Sequence, residues 1–256
     1  MRVKVCGMNF PDNVAAVDAL GVDSLGFVFY PNSPRCVTTP PEKLPPTRAK
    51  RVGVFVDQDE EEILSVAERY GLGGVQLHGA ESPAFCRRLR GGLPSGTLLI
   101  KAVGVACSEN LTAALAYEEV ADCLLFDTRC ATHGGSGRRF DWSLLSRYRG
   151  NLPFLLSGGL GPGDEERVRS FHHPRCQGVD LNSRFELSPG IKDVAVLARF
   201  LRGVGHEPSH GTGQLLANVP PMSRLCRREP PQLVRLSCHC QSVETRSRIS
   251  ASKRTE

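Results

Sequence analysis

Long apolar runs are missing from this chain. Its 256 residues contain no stretch near the roughly 18 consecutive apolar residues that a membrane-spanning helix requires. The N-terminus lacks the apolar segment of a secretory signal. We therefore expect a cytoplasmic protein that makes no membrane contact.

Paired cysteine ligands are missing as well. None of the ten cysteines belongs to a C-x-x-C pair, and the closest spacing is Cys238-His239-Cys240. A structural metal site needs about four ligands, and no second pair follows this tripeptide. We expect no metal, and we expect most of the cysteines to be small buried side chains.

Excess basic charge is confined to the end of the chain. Residues 205–256 hold eight Lys or Arg and four acids, whereas the rest of the chain is nearly neutral despite the overall +5. This argues against a body that binds nucleic acid. The same segment is rich in Pro, Ser and Arg and has no helical or strand period, so we expect a disordered tail. A basic arm for RNA or an anionic surface is the alternative, which the lack of stacking aromatics weakens.

Residues 1–204 alternate short apolar runs with amphipathic segments. Only the segment after the second apolar run, residues 24–29, is too rich in proline to form more than a turn. The eighth run, residues 178–182, is followed by a possible helix start at Ser188-Pro189-Gly190. Eight such units predict an α/β catalytic domain that is a closed (β/α)₈ barrel, the TIM barrel. An open doubly wound sheet is the alternative, but CGMNFPDN lacks its glycine-rich fingerprint. The eight predicted strands are residues 2–6, 24–29, 51–56, 74–78, 98–103, 123–127, 153–158 and 178–182.

Polar residues collect where these strands end. In a barrel the carboxyl ends of the strands form the active site. Glycines follow strand seven, and a polar turn follows strand eight, where such barrels often bind phosphate through backbone N–H groups. The glycine pair alone could equally serve only a tight turn. The strand-end residues are Cys6, Arg35, Asp57, Gln76, His78, Lys101, Asp127, Ser157 and Asp180, and the phosphate candidates are Gly158, Gly159, Asn182 and Ser183.

Several of these stretches together resemble one family. KVCGM, LGFVFYPNSPR, VGVF, QLHGAE, LLFDT, LSGGL and GVDLNSRFELSPGIKD occur in order between residue 2 and about residue 203. They are similar to phosphoribosylanthranilate isomerase of tryptophan biosynthesis. The resemblance implies an Amadori rearrangement of N-(5-phosphoribosyl)anthranilate, a small phosphosugar, without cofactor or metal. We expect a monomer or a homodimer.

The resemblance makes Cys6 the general base and Asp127 the general acid. Ring opening requires a proton on the furanose oxygen, which a protonated carboxylic acid can give. A thiolate can then remove the proton from the adjacent sugar carbon. A free thiol has a pKa of about 8.5, so a base at neutral pH needs a depressed pKa. Lys4 lies on the same side of the strand as Cys6, which suggests a cation near the base.

Substrate contacts follow from the same resemblance. Arg35 matches the position that binds the anthranilate carboxylate. Gln76 and His78 match substrate-orienting positions, although His78 could instead satisfy a buried backbone group. Asp180 could hold a sugar hydroxyl or fix the phosphate loop. Residues 135–137 suit a loop that closes over the ligand, or simply a flexible connection.

The chain departs from the family pattern after strand eight. Arg184 stands where a glycine is expected, so it could contact phosphate or mark a different loop. Two other functions stay open: another phosphosugar-binding barrel isomerase, and an inactive barrel that serves as a scaffold with a basic binding tail. A histidine-pathway isomerase would carry an aspartate at Cys6, and an indole-glycerol-phosphate synthase would need a catalytic lysine pattern that is absent.

Overall fold

The structure, a computed structural model, describes residues 1–128 and 141–206. The predicted disordered tail lies outside the described residues from position 207 onward. The predicted closing loop at 135–137 and the Cys238-His239-Cys240 tripeptide also lie outside them.

Eight parallel strands close into a barrel in chain order. Strand β1 pairs with both β2 and β8, so that Lys4 stands opposite Ser24 on one side and Asp180 on the other. The closed ring confirms the predicted (β/α)₈ fold and excludes the open sheet. The strands are β1 Arg2–Val5, β2 Ser24–Val28, β3 Lys50–Phe55, β4 Gly74–Leu77, β5 Leu98–Val105, β6 Cys123–Thr128, β7 Phe154–Leu156 and β8 Cys176–Leu181.

Burial of the strands on both faces explains why they read as apolar runs. Leu124 and Phe126 belong to the large core between the barrel and the helices. Leu125, between them, packs instead with Val52 and Ile100 in a small cluster inside the barrel. Successive side chains of a strand point to opposite faces, so both faces must be apolar.

Within the described residues, six α-helices cover the barrel. Side-chain caps begin three of them: Asp59, Ser82 and Asp193 accept hydrogen bonds from the backbone N–H three residues later. The proline-rich segment after β2 holds only a short 3₁₀ turn at Pro41–Lys43, as the sequence predicts. No helix in the described residues is both long and apolar enough to cross a membrane. The helices are α1 Pro11–Asp18, α2 Glu60–Arg69, α3 Pro83–Gly92, α4 Ser108–Ala114, α5 Glu165–Ser170 and α6 Val194–Gly203, and further 3₁₀ turns span Leu115–Tyr117, Trp142–Arg147 and Ser183–Phe185.

Two segments differ in detail from what the sequence predicts. The amphipathic segment after β6, a helix candidate in the alternating pattern, forms a 3₁₀ helix instead of an α-helix, and its three-residue turn places the buried Trp142 and Leu145 on one face. The stretch Ser188-Pro189-Gly190 starts no helix. It turns between two short antiparallel strands, β9 Glu186–Ser188 and β10 Ile191–Lys192, with Gly190 at φ 86°. Glycine adopts this left-handed conformation without strain, and the turn therefore brings Glu186 opposite Lys192.

Candidate active site

A buried ion pair joins the first and last strands inside the barrel. Lys4 Nζ lies 2.8 Å from Asp180 Oδ1, and the two side chains are 2% and 5% exposed. Ser157 Oγ donates to the other carboxylate oxygen of Asp180 at 3.5 Å. Burial alone would lower the pKa of Lys4, but Asp180 and Cys6 raise it above the ordinary lysine value. Lys4 therefore keeps its positive charge.

The thiol of Cys6 lies directly beyond this pair, at the end of β1. Gly26 on β2 leaves the space: a Cβ there would fall 2.8 Å from Cys6 Sγ and 3.1 Å from Lys4 Nζ. The predicted cation near Cys6 is therefore present. Burial, with a smaller effect of Asp180, raises the pKa of Cys6, while the charges of Lys4 and Lys192 oppose that rise. The expected depressed thiol pKa is thus not found.

Asp127, at the end of β6, lies beside His78, which follows β4. His78 Nε2 is 3.4 Å from Asp127 Oδ2, and both side chains are about one-third exposed or less, at 32% and 27%. Gln76 is fully buried beneath the ring, with its Nε2 2.9 Å from His78 Nδ1. The amide therefore orients the imidazole toward the carboxylate. Among the residues that the structure describes, the His78 ring contacts Gln76 and Asp127 and no backbone group.

Two other strand-end residues, Lys101 and Asp57, brace the loop that carries His78 through Glu81. Lys101 Nζ donates to Glu81 Oε2 at 3.0 Å and to the carbonyl of Gly79 at 2.8 Å. Glu81 also accepts from the backbone N–H of Asp57 at 3.0 Å. Lys101 and Asp57, which the sequence placed at the active-site end, are thus tied into a structural network.

Arg35 makes a two-pronged ion pair with Glu186. Its Nε lies 3.0 Å from both carboxylate oxygens, and its Nη2 lies 2.7 Å from Oε2. Lys192 Nζ donates to Glu186 Oε1 at 2.7 Å and to Asn182 Oδ1 at 2.8 Å. Burial would raise the pKa of Glu186, but hydrogen bonds and charge from Arg35 and Lys192 lower it. Glu186 is therefore an anion shared by two cations.

Gly7 lets this cluster approach the end of β1. It has φ 76°, and a Cβ there would lie 2.7 Å from Asn182 Oδ1 and 2.8 Å from Arg35 Cδ. Both distances are shorter than real contacts. The residue after Cys6 must therefore be glycine if Arg35 and Asn182 are to pack against it.

The turns after β7 and β8 lie beside each other. Gly158 and Gly159 have φ 85° and 69°, which only glycine adopts readily. Within residues 1–128 and 141–206, the N–H groups of Gly158, Gly159 and Ser183 have no acceptor. Arg184 crosses the turn, and its Nη1 lies 3.5 Å from the carbonyl oxygen of Gly159. Such turns suit an anion.

The described residues hold no group of three or more His, Cys, Asp or Glu side chains arranged to bind a metal. A comparison with known protein families identifies this chain's similarity to one of them. The family model described as N-(5'-phosphoribosyl)anthranilate isomerase matches residues 3–202.

The chain belongs to the phosphoribosylanthranilate isomerase family. A curated family member from Phocaeicola vulgatus is 45% identical over 201 residues, which is 78% of this chain and 96% of that protein. A structure of monomers generated from the dimeric isomerase of Thermotoga maritima is 34% identical, with a TM-score of 0.65. It is matched over 81% of this chain and 100% of its own. The same coverage holds for a family structure in complex with reduced 1-(o-carboxyphenylamino)-1-deoxyribulose 5-phosphate, at 35% identity and a TM-score of 0.66.

The structure of this isomerase places at the site two residues that the sequence argument missed. Glu186 and Lys192 are both buried at the carboxyl end of the barrel, and each touches a predicted site residue. The sequence argument missed Glu186 and Lys192 because it placed a helix start at Ser188. The signal that could have found them is a pair of opposite charges on either side of a Pro-Gly turn, since a short hairpin brings such side chains together.

Proposed function

We propose that this isomerase converts N-(5-phosphoribosyl)anthranilate into 1-(2-carboxyphenylamino)-1-deoxyribulose 5-phosphate by general acid and base catalysis. The observation that carries the proposal is the inward placement of Cys6 beside Lys4, on the barrel end where Asp127 and Arg35 also lie. Family membership supports the substrate class, because a relative binds a reduced form of this product.

Asp127 is the proposed general acid. In the first step its carboxylic acid gives a proton to the furanose oxygen, and the bond between that oxygen and the anomeric carbon breaks. The electron pair of the anthranilate nitrogen forms an iminium with that carbon. The imidazole of His78, 3.4 Å from the carboxylate, orients Asp127 toward the ligand.

Cys6 is the proposed general base. Its thiolate removes the proton from the sugar carbon next to the iminium, and the released electron pair forms an enolamine. The enolamine then tautomerises to the ketone of the product. Lys4 stabilises the thiolate, because its positive charge opposes the rise in thiol pKa that burial causes.

Arg35 is proposed to bind the anthranilate carboxylate, and Asp180, Gln76 and His78 to shape the sugar site. Asp180 acts through Lys4, and Gln76 acts through the ring of His78. The phosphate is proposed to lie at a second site. It would accept hydrogen bonds from the N–H groups of Gly158, Gly159 and Ser183, with Asn182 beside them.

Turnover of purified chain on N-(5-phosphoribosyl)anthranilate, followed by chromatography of substrate and product, tests the proposal. Cys6→Ser should lower kcat by about 10²–10⁴-fold, because serine is not a competent base at neutral pH. Cys176→Ser makes the same change at the first residue of β8, at the opposite end of the barrel, and should leave kcat unchanged.

The alternatives give different results. An inactive scaffold would show no turnover of any phosphosugar, and a different isomerase would turn over another phosphosugar but not this one. Asp127→Asn should also lose turnover, and it should accumulate no ring-opened intermediate. Full activity of Cys6→Ser would remove the thiol from the mechanism.

We also propose that the enzyme works in the cytoplasm, as a monomer or a homodimer, with residues 1–204 as its catalytic domain. The dimeric relative supports either assembly state, since monomers could be generated from it. The near-neutral charge of residues 1–204 supports a small-molecule partner over nucleic acid. Light scattering on the purified chain would give the mass of the assembly.

A further inference from the structure

The cluster of Arg35, Glu186 and Lys192 has a geometry that determines which edge of the guanidinium can meet a ligand. Glu186 occupies the edge formed by Nε and Nη2, at 2.7–3.0 Å. Among the described residues, Nη1 of Arg35 has no acceptor. A guanidinium carries five N–H donors in a fixed plane, so the end formed by Nη1 and Nη2 remains available for a second carboxylate.

Glu186 is itself fixed from three sides. Arg35 Nη2 donates to Oε2 of Glu186 at 2.7 Å. Lys192 Nζ donates to Oε1 at 2.7 Å, and the N–H of Gly190 donates to Oε1 as well, at 3.2 Å. Its side chain is 5% exposed. A buried carboxylate with these partners has one orientation, and it transmits that orientation to Arg35.

The hairpin that carries Glu186 is in turn anchored to the body. Asn13 of α1 donates from Nδ2 to the carbonyl of Lys192 at 2.9 Å and accepts from its N–H at 2.8 Å. The Lys192 side chain is fully buried. The anchor therefore fixes Lys192, and through it Glu186, relative to α1.

We infer that Glu186, held by Lys192, is a positioning residue that fixes Arg35 so that its Nη1–Nη2 end receives the anthranilate carboxylate. This rests on the proposed function, in which Arg35 binds that group. Without Glu186 the guanidinium must be ordered at the moment of binding, at an entropic cost. Glu186 does not touch the substrate in this assignment.

Binding of two ligands that differ only in one carboxylate tests the inference. The probes are reduced 1-(o-carboxyphenylamino)-1-deoxyribulose 5-phosphate and its phenylamino counterpart without the carboxylate. Glu186→Gln should raise the Kd of the carboxylate ligand about tenfold, equivalent to about 1.4 kcal/mol. The Kd of the counterpart should stay within about twofold. A purely structural role would weaken both ligands equally and would overturn the inference.

The opposite result is also decisive. If Glu186→Gln binds the carboxylate ligand more tightly, Glu186 competes with the substrate for Arg35 and does not position it. In an Arg35→Ala background the Glu186→Gln change should have no further effect on either ligand. Arg35→Ala alone tests the proposed function, because an unchanged Kd for the carboxylate ligand would remove Arg35 from binding whatever Glu186 does.

A second variant keeps the inference testable if Glu186→Gln fails to fold. Lys192→Gln leaves the contact between Arg35 and Glu186 intact but removes one of the two cations that hold the carboxylate. It should weaken the carboxylate ligand selectively and by less than Glu186→Gln. Equal weakening of both ligands by Lys192→Gln would count against the inference.

Discussion

Removing the carboxylate of Asp180 should destabilise the barrel by an amount that follows from the burial of its partner. Asp180→Asn keeps the shape of the side chain but leaves the ammonium of Lys4 without its anion at 2.8 Å. Lys4 lies 2% exposed inside the barrel, so water cannot replace the lost partner. The variant therefore measures the cost of an unpaired buried charge.

The magnitude follows from the burial of both partners. Breaking a buried pair by removing one partner costs about 3–5 kcal/mol, whereas an exposed pair contributes about 0–1 kcal/mol. For a domain of this size, each 1 kcal/mol shifts Tm by about 2–4 °C, so a fall of about 6–20 °C is expected. Glu60→Gln is the matched control, because Glu60 pairs with Arg88 at 3.6 Å where the side chains are 33% and 62% exposed.

The effect should depend on pH, with a definite sign. In the native chain the pKa of Lys4 is raised, so its contribution to stability is present below the unfolded lysine pKa and is lost as pH rises through the folded value. In Asp180→Asn the partner that contributes most to raising the Lys4 pKa is gone while burial still lowers it, so we expect a folded pKa below the unfolded value. The unfolded state then binds more protons, so the stability of the variant rises from neutral pH toward about pH 10, near the unfolded lysine pKa.

Urea unfolding followed by circular dichroism, at neutral and at alkaline pH, gives the free energies of unfolding. The double variant Lys4→Met with Asp180→Leu removes both charges and should be close to the parent in stability, because apolar replacement of a buried pair is often neutral. A fall of less than about 1 kcal/mol for Asp180→Asn, as for an exposed pair, would refute the argument that this ion pair is desolvated.

Three further outcomes are expected. First, kcat/KM should rise with pH above neutrality, because burial raises the pKa of the Cys6 thiol and the base must be a thiolate. The pH profile of Cys6→Ser should be flat, and a fall of kcat/KM with pH in the native enzyme would contradict the assignment of Cys6 as the base. Second, Gly7→Ala should lower stability by about 1–3 kcal/mol and weaken substrate binding, whereas Gly71→Ala, at φ 58° with no atom within 4 Å of the new Cβ, should affect stability alone. If Gly7→Ala and the native enzyme had the same KM, the cluster around Arg35 would tolerate the methyl group. Third, a chain ending at residue 206 should keep its activity and its Tm, and a drop of several degrees would show that later residues stabilise the barrel.

The architecture follows from the sequence because its signals are local. Each apolar run of four to eight residues bounded by glycine or polar residues has few folded forms, and eight of them with helices between predict a closed barrel. The helix caps are local as well, since Ser82 and Asp59 each accept from the backbone N–H three residues later. The placement of Cys6, Asp127 and Arg35 at one end then follows from the direction of the strands.

The remaining features depend on residues far apart in the chain. Glu186 meets Arg35 across 151 positions, and no periodic pattern records such a contact. The raised pKa of Cys6 is similar: it reflects burial and three charged neighbours, Lys4, Asp180 and Lys192, whereas the sequence reveals only Lys4 nearby. The helix predicted at Ser188 failed because the local pattern of Ser-Pro-Gly fits a helix start as well as a hairpin turn.

The seam between β1 and β8 has a consequence for how the protein is made. The pair of Lys4 and Asp180 closes a ring across 176 positions of the chain. During synthesis, β1 leaves the ribosome first and has one unpaired edge until β8 has been translated. At about 5–20 residues per second that interval is roughly 10–35 s. An exposed strand edge can pair with another nascent chain, and β1 carries a lysine in its middle, a residue type that discourages such pairing. The same lysine that supports the thiol in the finished barrel therefore also protects the edge of β1 while the barrel is still open.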